Sequence, residues 1–278
     1  MNPEQVSAAA CEVARRALAE DLAGYGDVTG RAFGGPARAR IVARAPGVFS
    51  GTEALTAAAE LLDESLELEL LCANGDRFAA ADALVTLSGR AAGILALERT
   101  ALNFLARLSG IATLTAAYVA EVAGTGARIA ATRKTTPGLR VLEKAAVVHG
   151  GGTPHRCGLF DGAMIKDNHV RAAGGVRAAI ELVRADLPHT QTLEVEVESL
   201  AELAEALEAG VTLILLDNMT PELVHKAATL VAGRALVEVS GGVTLATVAD
   251  YAHAGADVIS VGALTTAAPW IDLSLEME

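Results

Sequence analysis

Between Ala127 and Thr265 short apolar segments alternate with helical ones, and this alternation limits the fold more than any other feature of the chain. The segments are ARIAAT, GAMIKD, LEVEVE, VTLILLDN, ALVEVSGG and ADVISVGA, six candidate strands each followed by a helix or a loop. Repeated strand–helix units imply a parallel sheet, since parallel neighbours need a crossover between them. The stretch is about 140 residues, short of the roughly 250 used by a closed eightfold barrel. An incomplete, open α/β barrel of six to seven strands is therefore expected. Each candidate strand ends in polar residues or glycine: Thr132-Arg133-Lys134, Lys166-Asp167-Asn168, Glu196 and Glu198, Asp217-Asn218, Ser240-Gly241-Gly242, and Gly262. In barrels of parallel strands that rim is where sites are built.

The chain up to about Gly110 has another texture. Asn2 can cap a helix, Pro3 suits its first turn, and Val6, Ala10, Val13 and Ala17 recur at helical spacing. RARIVAR (38–44), LELEL (66–70) and ALVTL (83–87) alternate as short strands, TEALTAAAELLDE reads as a helix, and a long helical pattern covers Ile94–Leu108. The mixture predicts an α+β domain with an antiparallel sheet over residues 1–110, to which the tail 270–278 returns, followed by a catalytic barrel over 111–269.

Composition removes several classes of function. Aromatic residues are 3% of 278, too few for the stacking platforms of single-strand nucleic-acid binders. A formal charge of −12 opposes binding to a phosphate backbone, so no nucleic-acid partner is expected. No uncharged apolar run approaches the roughly 18 residues of a membrane span, and the N-terminal residues do not read as a signal peptide. Cys11, Cys72 and Cys157 are odd in number and far apart, which suggests a reducing cytoplasm.

Against that acidic background one stretch is cationic. Thr132–His169 holds Arg133, Lys134, Arg140, Lys144, Arg156 and Lys166 against Glu143, Asp161 and Asp167, together with His149, His155 and His169. Clustered fixed cations suit a small polyanionic substrate, because charges in a desolvated cleft act more strongly than in water. Arg133 and Arg156 suit carboxylates, and His155 can bond the same ligand. Lys134 and Lys166 read either as point charges for phosphate or as Schiff-base nucleophiles. Arg140 and Lys144, one turn apart, are expected on a solvated or ion-paired helix face. The Ser240-Gly241-Gly242 turn, before a helix expected near Thr244, and Val261-Gly262-Ala263 point to phosphate. Glu196 and Asp217 end neighbouring strands. They suit either a Mg²⁺-diphosphate environment or stabilisation of positive charge on a sugar, and Glu194 and Glu198 share the Glu196 side of their strand. No metal ligand is assigned; Glu196 and Asp217 would meet an ion through water.

With these residues in place the chain resembles the quinolinate phosphoribosyltransferase family. The likeness is carried, in order, by EDLAGYGDVT, ERTALNFLARLSGIAT, TRKTTPGLRVLEKAAV, GGGTPHRCGLFDGAMIKDNH, EVEVES, LILLDN, SGGVTL and VGALT. The resemblance implies an N-terminal α/β sandwich before the incomplete barrel, and transfer of phosphoribose from phosphoribosyl pyrophosphate to quinolinate with loss of CO₂. It implies a quinolinate pocket of Thr132, Arg133, His155, Arg156 and Lys166, with Arg99 reaching across from the partner subunit of a homodimer or an assembly of dimers. Phosphoribosyl pyrophosphate would meet Lys134, Lys166, Glu196, Asp217, Ser240–Gly242 and Val261–Ala263, with Mg²⁺ on its diphosphate. Lys134, Lys166, Glu196 and Asp217 would be catalytic. Ala131, Ala145, Pro154 and Val239 depart from the family's usual Asp, Tyr, Asn and smaller residue. A Schiff-base barrel enzyme acting on a sugar phosphate, a molybdenum-transport-associated paralogue and a non-catalytic anion-binding relative are the alternatives.

Overall fold

The computed structural model describes residues 2–278. Helix α1 (Pro3–Leu22) is capped by Asn2, whose Oδ1 accepts from the Glu4 N–H at 2.9 Å, and it buries Val6, Ala10, Ala14 and Leu18 as one stripe. Then come β1 (Pro36–Ala43), β2 (Gly47–Val48), α2 (Thr52–Leu62), β3 (Glu67–Leu70), β4 (Arg77–Phe78), β5 (Ala83–Arg90) and α3 (Ala91–Glu121). They are followed by β6 (Arg128–Ala130), α4 (Arg140–His149), β7 (Ala163–Ile165), α5 (Asp167–Ala173), α6 (Val176–Asp186), β8 (Leu193–Val197), α7 (Leu200–Glu208) and β9 (Leu213–Asp217). The chain ends with α8 (Pro221–Val231), β10 (Leu236–Ser240), α9 (Val248–His253), β11 (Val258–Ser260), α10 (Ala263–Thr266) and β12 (Leu273–Met277).

Two compact units result. One takes the chain up to Ala116, Thr135–Gly152 and Leu264–Glu278; the other takes Ala117–Lys134 and Thr153–Ala263. Residue 110 falls inside α3, which runs through it unbroken.

In the first unit an antiparallel sheet has the order β12-β1-β5-β3. Its central strand β1 alternates: Ala39 and Ile41 are fully buried while Arg38 and Arg40 are exposed. Ile41 lies opposite Leu275 on one side and Val85 on the other, so the terminal strand completes the sheet. α1 packs on α2, and small residues (Ala54, Ala57, Ala58) let the two helices approach closely. Helix α3 is long and apolar enough to cross a membrane by length and composition, but 56% of its most apolar window is buried within the protein, as in a core helix.

In the second unit six parallel strands have the order β6-β11-β10-β9-β8-β7. Apart from the position of the opening, this is chain order wrapped round a curve: among the described residues β6 and β7 form the two edges. The barrel is thus open between them. Thr153 bridges Ala130 in parallel fashion, so the segment after Gly152 lies along the free edge of β6. Strand β8 shows why a half-polar strand can sit in such a fold. All five residues are buried, yet Glu194 and Glu196 point to one face and Leu193, Val195 and Val197 to the other. The helix after the Ser240–Gly242 turn corrects one expectation. It starts at Val248, four residues beyond Thr244, because Thr244 and Thr247 first bond each other in a turn.

Candidate active site

The concave side of the open barrel encloses a cavity of about 400 Å³. Every residue lining it belongs to the second unit. From the segment after β6 come Thr132, Arg133 and Lys134; the Thr132 Oγ1 accepts from the Lys134 N–H at 3.0 Å and turns the chain there. The Lys134 stem lies against Gly262, where a Cβ would come within 3.1 Å of its Cδ, so glycine gives the lysine room.

His155 and Arg156 come from the segment along the barrel's open edge. His155 holds φ at 52°, a left-handed conformation uncommon for a side-chain-bearing residue. This places its Nδ1 to accept from the Arg156 N–H at 2.7 Å. Nε2 therefore carries the hydrogen, which it donates to Glu238 Oε1 at 3.1 Å. Arg156 donates to the Gly162 carbonyl at 2.9 Å and contacts Met164 Sδ at 3.2 Å. Asp161 accepts from the Cys157 and Gly158 N–H groups at 2.7 and 2.8 Å, which closes the loop that carries the arginine. Burial, and then the neighbouring Arg133 guanidinium, pulls Arg156 below its ordinary value. Two cations held this close to each other suit a dianion between them.

From the strand ends come Lys166 after β7, Glu196 on β8, Asp217 at the end of β9 and Ser240 at the end of β10. Lys166 Nζ forms an ion pair with Glu196 Oε2, which ties the end of β7 to β8. Asp217 Oδ2 accepts from Asn218 at 2.6 Å. Burial, then the Glu196 charge, raises Asp217 above the usual carboxylate range, against the pull of Lys166 and Lys134. Four side-chain cations thus share the cavity with the carboxylates of Glu196, Asp217 and Glu238.

Nine of the residues expected at the site line this one cavity: Thr132, Arg133, Lys134, His155, Arg156, Lys166, Glu196, Asp217 and Ser240. Gly241, Gly242, Val261, Gly262 and Ala263 follow the ends of β10 and β11 but do not line it. Arg99 is exposed on α3 in the first unit and is not part of the lining. Met164, Leu215, Glu238 and Ser260 line the cavity without having been singled out in the sequence. A signal for Glu238 existed: in LVEVS it stands two residues before Ser240, so both face the same side. One expectation is corrected outside the cavity. Lys144, placed on a solvated or ion-paired face with Arg140, is fully buried, as is its neighbour Glu143.

The arrangement can hold a small dianion against the arginines and a phosphorylated, positively developing centre against the carboxylates. Among the described residues, the cluster of three metal-ligating side chains is His155, Glu194 and Glu238, not Glu196 with Asp217. Glu196 is engaged by Lys166 and Asp217 by Asn218.

Comparison with known proteins agrees with this geometry. Residues 27–109 match the quinolinate phosphoribosyl transferase N-terminal domain, and residues 111–276 match the C-terminal domain of the same family. A probable nicotinate-nucleotide pyrophosphorylase [carboxylating] from Synechocystis is 42% identical over 94% of this chain and 90% of that protein. The Homo sapiens nicotinate-nucleotide pyrophosphorylase [carboxylating] is 40% identical over 94% of this chain and 89% of that protein. The solved structure of the Francisella tularensis nicotinate-nucleotide pyrophosphorylase superposes with a TM-score of 0.94 at 34% identity, covering 100% of this chain and 98% of that one.

Proposed function

The chain belongs to the quinolinate phosphoribosyltransferase family, and we propose that the cavity just described is where it joins quinolinate to phosphoribosyl pyrophosphate. The products are nicotinate mononucleotide, pyrophosphate and CO₂, a step of NAD biosynthesis. The observation that carries this reading is the convergence of Arg133, Lys134, His155, Arg156 and Lys166 on one wall system that also bears Glu196 and Asp217.

The geometry divides the work. Arg156, braced by Gly162 and Met164, and Arg133 beside it orient the two carboxylates of the pyridine diacid. His155, with its ring nitrogens engaged by the Arg156 N–H and Glu238, lines the same wall and fixes the backbone that carries Arg156. Lys134 takes the diphosphate, and Gly262 leaves space for its stem. As the bond from the ribose C1 to the diphosphate breaks, positive charge grows on the sugar. Glu196 and Asp217 offset it, and Lys166 holds Glu196 in place through their ion pair. The pyridine nitrogen attacks C1, and the resulting ring cation draws electrons from the 2-carboxylate, which leaves as CO₂; the electron pair left on C2 then takes up a proton from water, giving the C2–H of the product. No side chain needs to act as a nucleophile; positioning and fixed charge supply the catalysis. Mg²⁺ enters as part of the substrate, on the diphosphate oxygens, and lowers the charge of the leaving group.

We further place Arg99 in the quinolinate site of a partner subunit, in a homodimer or an assembly of dimers in the cytoplasm. The exposed position of Arg99 on α3, outside the lining of its own chain's cavity, supports this. Incubation with quinolinate, phosphoribosyl pyrophosphate and Mg²⁺ tests the reaction directly: nicotinate mononucleotide is expected, and its absence from folded protein would overturn the assignment. Mixing an Arg99→Ala chain with a Lys134→Ala chain tests the shared site. If the sites are shared, mixed dimers recover activity that neither variant has alone.

A further inference from the structure

The run TRKTTPG (132–138) sets threonines on both sides of Arg133 and Lys134, and the chemistry assigned above uses only part of it. All three threonine side chains are engaged. Thr132 Oγ1 accepts from the Lys134 N–H at 3.0 Å. Thr135 Oγ1 accepts from Arg140 Nε at 3.0 Å. Thr136 gives Glu143 two hydrogen bonds, from its N–H to Oε2 at 3.0 Å and from its hydroxyl to Oε1 at 2.8 Å. The Leu139 N–H then donates to the Thr136 carbonyl at 3.0 Å, and Pro137 with Gly138, at φ 83°, fills the middle of that turn.

A second loop is tied to the same acid. β6 and β11 are neighbours, with Ala130 opposite Ser260, and the Val261 N–H donates to the Ala130 carbonyl at 3.0 Å. The two chains leave the sheet side by side, where Gly262 meets the Lys134 stem. Each then crosses into the first unit, one after Lys134 and the other after Ala263. Within the first unit Arg107 receives both. Its Nη2 and Nε donate to Glu143 Oε1 at 2.7 and 3.1 Å, and its guanidinium also donates to the Thr265 and Ala268 carbonyls. The Glu143 side chain is fully buried, so water does not compete for these bonds. Thr136 and Thr265 are thereby joined through one ion pair, shortly after Lys134 and Gly262 in the chain.

We propose that Arg107 and Glu143 are positioning residues for the diphosphate half of the site, setting Lys134 against the Val261–Ala263 turn. This rests on the placement of the diphosphate at Lys134 made above. Lys134 is exposed, and a lysine on a loose loop loses conformational freedom when it engages an anion. Anchoring the backbone at Thr136 removes part of that loss before the ligand arrives. Neither Arg107 nor Glu143 lines the cavity; both act through the main chain of the two loops. Quinolinate depends less on this pair, because Arg156 is braced separately by Gly162, Met164 and the loop that Asp161 closes.

Calorimetric titration with pyrophosphate and Mg²⁺, and separately with quinolinate, reads binding without turnover. Thr136→Val removes only the hydroxyl bond to Glu143. It should weaken pyrophosphate about tenfold, the scale of one hydrogen bond to a charged group, and leave quinolinate close to wild type. Thr136→Ser, which keeps the hydroxyl, should restore wild-type affinity. Glu143→Gln should shift binding in the same direction as Thr136→Val. In a Lys134→Ala background Thr136→Val should cause no further loss, since the pair acts through that lysine. Equal weakening of both ligands, additive losses with Lys134→Ala, or unchanged pyrophosphate binding by Thr136→Val overturns the proposal. If Glu143→Gln does not fold, the Thr136 variants decide, because that residue is exposed and its replacement leaves the buried ion pair in place. Wild-type protein that binds no pyrophosphate overturns the diphosphate placement and this proposal together. Wild-type protein that shows the expected binding pattern yet makes no nicotinate mononucleotide overturns the assigned reaction alone.

Discussion

Arg107 on α3 and Glu143 on α4 form an ion pair with Nη2 and Oε1 2.7 Å apart, and the Glu143 side chain is wholly buried. The same carboxylate accepts from the Thr136 N–H at 3.0 Å and the Thr136 hydroxyl at 2.8 Å. Arg107 also donates to the carbonyls of Thr265 and Ala268. One buried acid therefore gathers α3, α4 and the turn before α4 within the first unit. A network with so many charged hydrogen bonds depends on every partner being present.

Replacing Glu143 by Ala should cost about 3–5 kcal/mol, because it strands the Arg107 guanidinium with its partner gone. Urea unfolding of the variant measures this. Glu143→Gln should cost less, since it keeps acceptors for Arg107 and Thr136. Equal stability of Glu143→Ala and wild type would show that the pair contributes no net cohesion.

Arg156→Lys should lower kcat/KM for quinolinate by ~10²–10³-fold, equivalent to about 2–4 kcal/mol of lost transition-state binding. Lysine cannot reach the Gly162 carbonyl, Met164 and a substrate carboxylate as a planar fork does. Steady-state kinetics with each substrate varied checks the effect, and the KM for phosphoribosyl pyrophosphate should change far less.

Gly241→Ala should destabilise the protein by about 1–3 kcal/mol. The residue sits at φ +93°, and an added Cβ would come within 2.8 Å of the Asn218 nitrogen. Asn218 is itself at φ 54°, so the turns after β9 and β10 are matched shapes that cannot both relax. Thermal melting gives the stability change. A rise in KM for phosphoribosyl pyrophosphate would add that the turn serves the phosphate.

Stability should fall with rising pH on account of Glu194. Its folded-state value of about 8 lies above the ordinary 4.5, so the native state binds its proton more tightly than the unfolded chain does. That contribution is complete below about pH 4.5 and is lost progressively as pH climbs to about 8. Glu238, held low, contributes with the opposite sign, its stabilisation fading as pH falls through its folded value. Urea midpoints measured against pH for wild type and Glu194→Gln isolate the first effect. The variant's profile should be flatter between pH 4.5 and 8.

Much of the architecture could be read in the chain itself. The six strand segments from ARIAAT to ADVISVGA each contain a strand of the parallel sheet, which stays open. Apolar strands with polar residues at their ends announce a parallel sheet and its rim, because side-chain alternation and crossover geometry are local rules. Arg133, Lys166, Glu196 and Asp217 were visible for that reason. The start of α9 was misplaced because Thr244 and Thr247 spend their hydroxyls on a turn that competes with the helix. Lys144 was misjudged because the pattern RVLEK does not say which side of α4 meets the core.

What only the folded chain decided is the meeting of residues far apart in sequence. Glu196 and Glu238 both stand in register with Leu215, on opposite sides of β9, and the curve of the open sheet turns their strands' interior side chains inward. Residue types and spacing set the strands, the rim and the cationic stretch, since those follow from backbone geometry over a few residues. The pairing of Glu194 with Glu238, the tautomer of His155 and the burial of Lys144 depend on sheet curvature and on long-range packing. Those are properties of the whole fold, and no local pattern carries them.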